Sequence, residues 1–244
     1  MPAVDFRTQR LFIDTPLAPN VSWSADRSQA NYLLNVLRLR DGAPLLVFNG
    51  RDGEWQARIG ATGRKACTLT VERQTRPQTP PNDLTLLFAP IKRLEYAVQK
   101  AVEMGAGRIV PVITAHTQVR APKREKMRAY VLEACEQCGV IAVPELMAPT
   151  DLTTALTAVE ANRAILFCDE RAEVQNPVAA LETIPANTPL AVLIGPEGGF
   201  NDVEREGLMA DPRCHALALG PRILRADTAL VAALGLIQAS RGDW

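Results

Sequence analysis

A chain of 244 residues, 47% hydrophobic and 22% charged, has the composition of a globular protein with room for one large or two small domains. Its formal net charge is zero, its five cysteines are odd in number and irregularly spaced, and no apolar run reaches the roughly 18 residues of a membrane span. A disulfide framework and a bilayer-crossing helix are therefore not expected, and with no basic stretch leading into an apolar core at residues 1–7 the expected location is the cytoplasm.

The front of the chain reads as β-rich. Arg10–Ile13 is a short strand, and Ser28–Leu37 a helix with Tyr32, Leu33, Val36 and Leu37 at helical spacing. Pro44–Phe48 is an apolar strand ending in the hairpin signal Asn49-Gly50. Glu54–Ile59 and Cys67–Glu72 follow as strands, and short strands joined by glycine turns suggest a small barrel. Residues 73–83 are polar with three prolines, a stiff linker that divides a domain at 1–74 from one at 75–244.

Beyond the linker the period changes. Leu84–Ala89 is a buried strand and Lys92–Met104 a helix stopped by Gly105. Ile109–Ile113 is a strand, Pro122–Gln137 and Leu152–Glu160 are helices, and Ala164–Cys168 is a strand. Alternation of this kind specifies an α/β domain on a parallel sheet. Cys135-Glu-Gln-Cys138 has C-x-x-C spacing at the end of a helix, with only His116 and His215 elsewhere, so an incidental or structural role outweighs metal or redox work.

The last stretch uses one device twice. Leu190–Ile194 is a continuous apolar run, stopped by Gly195-Pro-Glu-Gly-Gly-Phe200; Asn201 then opens a helix as an N-cap, with Glu204 completing a capping box. Leu217–Leu219 is stopped by Gly220-Pro221-Arg222-Ile-Leu-Arg225, and a helix begins near Ala226 or Asp227. Two such loops at the ends of adjacent parallel strands would make a ligand crevice. An ordinary strand-to-helix turn needs the glycines but not Glu197, Arg222, Arg225 and Asp227. The glycines come too late, and in the wrong pattern, for a dinucleotide fingerprint in the first strand-helix turn.

Charge is unevenly spread. Residues 1–74 carry 10 basic and 7 acidic side chains, residues 75–128 carry 10 and 4, and residues 129–244 carry 7 and 16. A basic front and an acidic back suit a protein that grips a polyanion with one part only, and solvated surface charge is the plainer alternative.

The paired loops resemble the C-terminal signature of the RsmE-type methyltransferases, in the SPOUT class of S-adenosylmethionine enzymes. Arg10-Leu-Phe-Ile, Tyr32–Gly42 and Phe48-Asn-Gly50 resemble the family's N-terminal PUA-like domain, and Lys92–Gly105 its first methyltransferase helix. The resemblance departs at Val140-Ile141, where a basic residue is usual, and at Asp227, where glutamate is usual. It implies a PUA-like β-barrel ahead of a SPOUT α/β domain with a parallel sheet and a C-terminal trefoil knot. It implies methylation of N3 of a uridine in 16S rRNA of the small ribosomal subunit, S-adenosylmethionine as cofactor, and a homodimer, with no metal and no membrane. It places the cofactor against Leu166, Phe167, Ile194, Gly195, Glu197, Gly199, Leu219, Gly220, Ile223 and Leu224. Arg7, Arg10, Arg38, Arg40, Lys92, Arg93 and Arg222 would meet RNA. Arg225 would stabilise negative charge on the uracil ring, and Glu197 would take the N3 proton or hold its loop. An inactive ribosome-assembly protein and a methyltransferase for another base are the alternatives.

Overall fold

The apolar runs Pro44–Phe48 and Leu190–Ile194, each cut off by a turn-forming residue, become strands with the ends read from the sequence. The computed structural model describes residues 5, 7–61, 63, 66–172 and 176–244, and its chain divides into two compact units. One unit is Met1–Pro80 with Cys135–Val143, and the other is Pro81–Ala134 with Pro144–Trp244. The first unit thus takes a second segment far from the expected boundary.

In the first unit β1 (Arg10–Phe12), β2 (Ser22–Ser24), β3 (Pro44–Phe48), β4 (Glu54–Ala61) and β5 (Cys67–Arg76) form a sheet ordered β1-β3-β4-β5-β2. Only the β1–β3 pair is parallel among these ladders. Strand pleating sends Cys67, Leu69 and Val71 inward, where they pack with Leu11, Ile13, Leu33, Leu45 and Val47. Helix α1 (Arg27–Asn31) starts on a capping box between Asp26 and Gln29 and passes into a π-helical turn over Tyr32–Val36. The helix expected over 28–37 therefore forms in two parts. Asn49 shapes the β3–β4 turn through its Oδ1, which accepts from the backbone N–H groups of Arg51 and Asp52 at 2.9 and 2.8 Å.

Strand β5 runs on to Arg76, so the first residues expected as linker are strand instead. A buried charge cluster holds them. Glu54 accepts from Arg10 Nε at 2.9 Å, from Arg76 Nη2 at 2.6 Å and from Thr75 Oγ1 at 2.9 Å. Burial alone would raise the Glu54 pKa, but these donors hold its carboxyl below the ordinary value. The later segment joins the same unit. Glu136 accepts from the Phe12 N–H at 2.9 Å, and Arg76 donates to the Gly139 carbonyl at 2.9 Å.

The second unit contains β6 (Thr85–Phe88), α2 (Leu94–Glu103), β7 (Arg108–Ile113), α3 (Arg124–Cys138), β8 (Glu145–Leu146), β9 (Thr150–Asp151) and α4 (Leu152–Ala158). It continues with β10 (Ala164–Cys168), α5 (Pro177–Glu182), β11 (Leu190–Ile194), α6 (Asp202–Ala210), β12 (Cys214–Leu217) and α7 (Ala226–Arg241). The last turn of α3 belongs to the first unit. The main sheet is parallel, in the order β12-β10-β11-β6-β7-β8, and β9 extends the far end of β7. Strands β6 and β11 are buried along their whole length, as continuous apolar runs in a two-sided sheet should be.

Two expectations change here. Strand β12 ends at Leu217, where the sequence suggested it would start, because the apolar run Ala216–Leu219 outlasts the ladder. Strands β11 and β12 are also not neighbours: β10 lies between them and pairs with both. From β6 the chain first builds outward through β7 and β8, then returns on the other side to lay down β10, β11 and β12. The direction of winding reverses between β6 and β11, and such a reversal is where open parallel sheets bind ligands, at the carboxyl ends of the strands.

Candidate active site

The carboxyl ends of β10, β11 and β12 lie side by side, because all three strands are parallel and consecutive in the sheet. From β10 come Leu166, Phe167 and Cys168, and from β11 comes Ile194; Leu166, Phe167 and Ile194 are buried. The loops 195–200 and 218–225 follow β11 and β12 directly. The residues assigned to a cofactor lie in β10, at the end of β11 and in the loops that follow β11 and β12.

The first loop is tightly folded. A side chain at Gly195 would meet the Phe200 ring at 3.1 Å, so glycine lets that ring turn back over the strand end. Phe200 there packs edge-on to Phe167, with ring centroids 6.4 Å apart. Gly199 has φ +64°, a left-handed conformation, and its Cα faces Glu170 so closely that an added Cβ would lie 3.0 Å from Oε1. His116 Nδ1 lies 2.9 Å from the Gly198 carbonyl oxygen, tying the loop after β7 to the glycine turn. Glu204 reinforces that tie. It accepts from the Ala115 N–H at 2.7 Å and from the Asn201 N–H at 3.0 Å, while Asn201 accepts from the Glu204 N–H at 2.8 Å. The capping box is thus present, and its glutamate does a second job. Glu197, expected to hold the loop or take a proton, is exposed in the turn. The residue observed gripping the glycine turn is His116, which sequence reasoning assigned no role.

Between β10 and β12 the buried Asp169 donates its N–H to the Leu217 carbonyl at 3.1 Å, and its carboxylate accepts from Arg205 Nε at 2.8 Å. Burial pushes the Cys168 thiol up to about 12, so it stays protonated and is no thiolate nucleophile.

The second loop ends at Arg225, the N-cap of α7, whose extended backbone (φ −67°, ψ 151°) carries it outside the helix. Its side chain is 77% exposed, with Nε 3.9 Å from Asp227 Oδ1. Asp227 is buried in the first turn of α7 and accepts from Arg93 Nη1 at 2.7 Å. A shorter acid than the usual glutamate thus joins Arg93, just before α2, to the helix behind Arg225. In the same loop Arg222 is exposed, and Ile223 stands 90% exposed, a large apolar side chain in open solvent. Gly220 has φ +103°, with open space where a Cβ would project.

The expected RNA contacts separate. Arg7, Arg38 and Arg40 are exposed on the first unit, and Lys92 and Arg93 on the second. Arg10 is not available to phosphate: its side chain is 4% exposed and spent on Glu54. Ile141, where a basic residue is usual, is buried in the first unit. Among the described residues no group of three His, Cys, Asp or Glu side chains is placed to hold a metal ion, and no helix is long and apolar enough to cross a membrane.

Residues 78–238 match a family described as RNA methyltransferase domain, and residues 25–72 match one described as RNA methyltransferase PUA domain. The ribosomal RNA small subunit methyltransferase E of Rickettsia conorii is 30% identical over 94% of each chain. The crystal structure of the Neisseria gonorrhoeae ribosomal RNA small subunit methyltransferase E, bound to S-adenosyl methionine, superposes with a TM-score of 0.86 at 26% identity, covering 98% of this chain and all of the other. A putative methyltransferase from Legionella pneumophila in complex with the same cofactor gives 0.83 at 28% identity over 96% and 98% of the two chains. Two matched domains in the same order, a parallel sheet with paired glycine loops at one edge, and a relative similar along nearly its whole length have one reading: the chain belongs to the ribosomal RNA small subunit methyltransferase E family of RNA methyltransferases.

Proposed function

We propose that the chain transfers a methyl group from S-adenosylmethionine to N3 of a uridine in 16S rRNA of the small ribosomal subunit, acting as a homodimer. The observation that carries the reading is the convergence of two Gly-Pro loops and three parallel strand ends on one edge, in a chain of this family.

The residues present fit the cofactor. Open space beside Gly220 admits a flat purine without side-chain bulk. Ile223 offers an apolar surface, and Glu170 and Glu197 are exposed carboxylates suited to a ligand bearing sulfonium and ammonium charges. When bound, that ligand supplies an already activated methyl group. The task of the protein is then to hold donor and acceptor in line, which by itself accounts for several kcal/mol of a barrier. Phe200, packed on Phe167, and His116, bonded to Gly198, fix the first loop. Arg225, mostly exposed and with its Nε 3.9 Å from Asp227, can turn toward an incoming ring. As N3 loses its proton, negative charge spreads onto the two ring carbonyls, and guanidinium donors at a forming oxyanion stabilise it. Glu197, exposed to water, can receive the proton and pass it to solvent.

The decisive experiment supplies labelled S-adenosylmethionine and small subunits lacking the modification, followed by nucleoside mass spectrometry. A single 3-methyluridine is expected. Methyl in another nucleoside would remove the target but keep the reaction, and no transfer together with no calorimetric cofactor binding would remove both. Light scattering of the purified protein alone should show twice the 26.6 kDa chain mass, and a 26.6 kDa species alone would remove the dimer.

A further inference from the structure

A cleft of about 510 Å³, lined by no residue of the two glycine loops, opens in the second unit. Its wall is built from the start of α2 and the exposed side of α3: Lys92, Arg93, Tyr96, Gln99, Lys126 and Tyr130 line it. Three cations face one carboxylate, Glu95, among the lining residues. Both aromatic rings already carry a cation. The Arg93 guanidinium lies 4.6 Å from the Tyr96 centroid, and Lys126 Nζ lies 5.7 Å from the Tyr130 centroid.

We propose that this cleft receives an unpaired nucleotide of the RNA substrate, next to the one that is methylated; the proposal rests on the reading of the chain as an RNA methyltransferase. Rings and a guanidinium plane are surfaces on which an unstacked base lies, whatever its identity. Lys92 and Lys126, exposed at the rim, can reach phosphate oxygens as mobile point charges. Gln99 presents a donor and an acceptor to a base edge. Arg93 makes the cleft more than a second RNA patch. The same guanidinium that stacks on Tyr96 donates to Asp227 at 2.7 Å, and Asp227 sits two residues after Arg225 at the head of α7. A base seated against Arg93 is thereby registered against the helix that presents Arg225. The stack would help pull the target nucleotide out of its own stack and set it down at the site.

A test uses the full chain and a fluorescein-labelled oligouridylate of about ten nucleotides, read by anisotropy at two or more salt concentrations. Tyr96→Ala and Tyr130→Ala are expected to weaken binding by about tenfold, in line with the loss of one stacking platform. Tyr96→Phe and Tyr130→Phe, which keep the rings, should bind like the parent. Lys126→Ala changes an exposed side chain with no buried partner charge; it should lower the slope of log affinity against log salt by about 0.7, one phosphate contact on a single strand. Calorimetric affinity for S-adenosylmethionine should be unchanged in the tyrosine variants. Parent-like RNA affinity in both alanine variants and in Lys126→Ala, with methyl transfer intact, would overturn the cleft while leaving the methyltransferase reading standing. So would a fall in light-scattering mass in the alanine variants, since the cleft would then be a protein–protein contact. Absence of both RNA binding and methyl transfer in the parent would overturn the two together.

Discussion

Replacing Arg225 by alanine should lower single-turnover methyl transfer by about 100- to 1,000-fold, the usual effect of removing one donor to a developing oxyanion. Cofactor affinity measured by calorimetry should change by no more than about threefold, because the proposed role is toward the uracil ring and only in the transition state. The structure favours such a separation. Arg225 is mostly solvent-exposed and its Nε is 3.9 Å from Asp227, too long for a hydrogen bond, so its loss leaves no buried partner stranded by a direct bond. Arg225→Lys keeps a charge but not the fork of donors, and should recover only part of the rate. Equal losses in turnover and cofactor affinity would assign Arg225 to the cofactor instead.

The second large effect concerns stability. Glu54→Gln keeps the shape of the side chain but leaves Arg10 buried without its counter-charge, and should destabilise the first unit by about 3–5 kcal/mol. Arg76, less deeply buried, loses its partner as well. The pH dependence has a definite sign. The folded-state pKa of Glu54 is depressed, so its contribution is fully present above the carboxylate's unfolded pKa of about 4.3 and is lost as pH falls through the lower folded value. Urea unfolding followed by tryptophan fluorescence should therefore weaken in the parent below about pH 5, and less steeply in the variant. Trp23 and Trp55 report on this unit. A variant within about 0.5 kcal/mol of the parent at neutral pH would show that the cluster contributes nothing beyond what surface substitutions do.

Where local sequence decides local structure, the fold was legible. Pro44–Phe48, Ala164–Cys168 and Leu190–Ile194 were read with their observed ends, since each is an apolar run cut off by a turn-forming residue. Strands of two or three residues, such as Ser22–Ser24 and Glu145–Leu146, carry no period to read. The ladder partners of β12 were not legible either, because sheet order depends on crossovers and not on strand composition. At the candidate site the glycine loops and the Asn201–Glu204 box announced themselves through spacing. The Arg93–Asp227 pair joins residues 134 apart, and the His116 tie spans 82 positions, separations at which a single sequence carries no signal. Arg10 was misassigned for the opposite reason: an arginine looks the same in sequence whether it faces phosphate or a buried glutamate.

The division of the chain bears on how the protein is made. The first unit is not complete until residue 143 has been synthesised, because Glu136 and Gly139 supply acceptors to Phe12 and Arg76. A nascent chain arrested just past the β5 strand holds all five strands but not those acceptors, and the ribosome adds only about 5–20 residues each second. For several seconds Phe12 and Arg76 therefore lack those acceptors, while β6, α2 and β7 of the second unit are translated. The order of synthesis thus interleaves the units. Expression of a fragment ending at the linker would give the first unit without its closing segment.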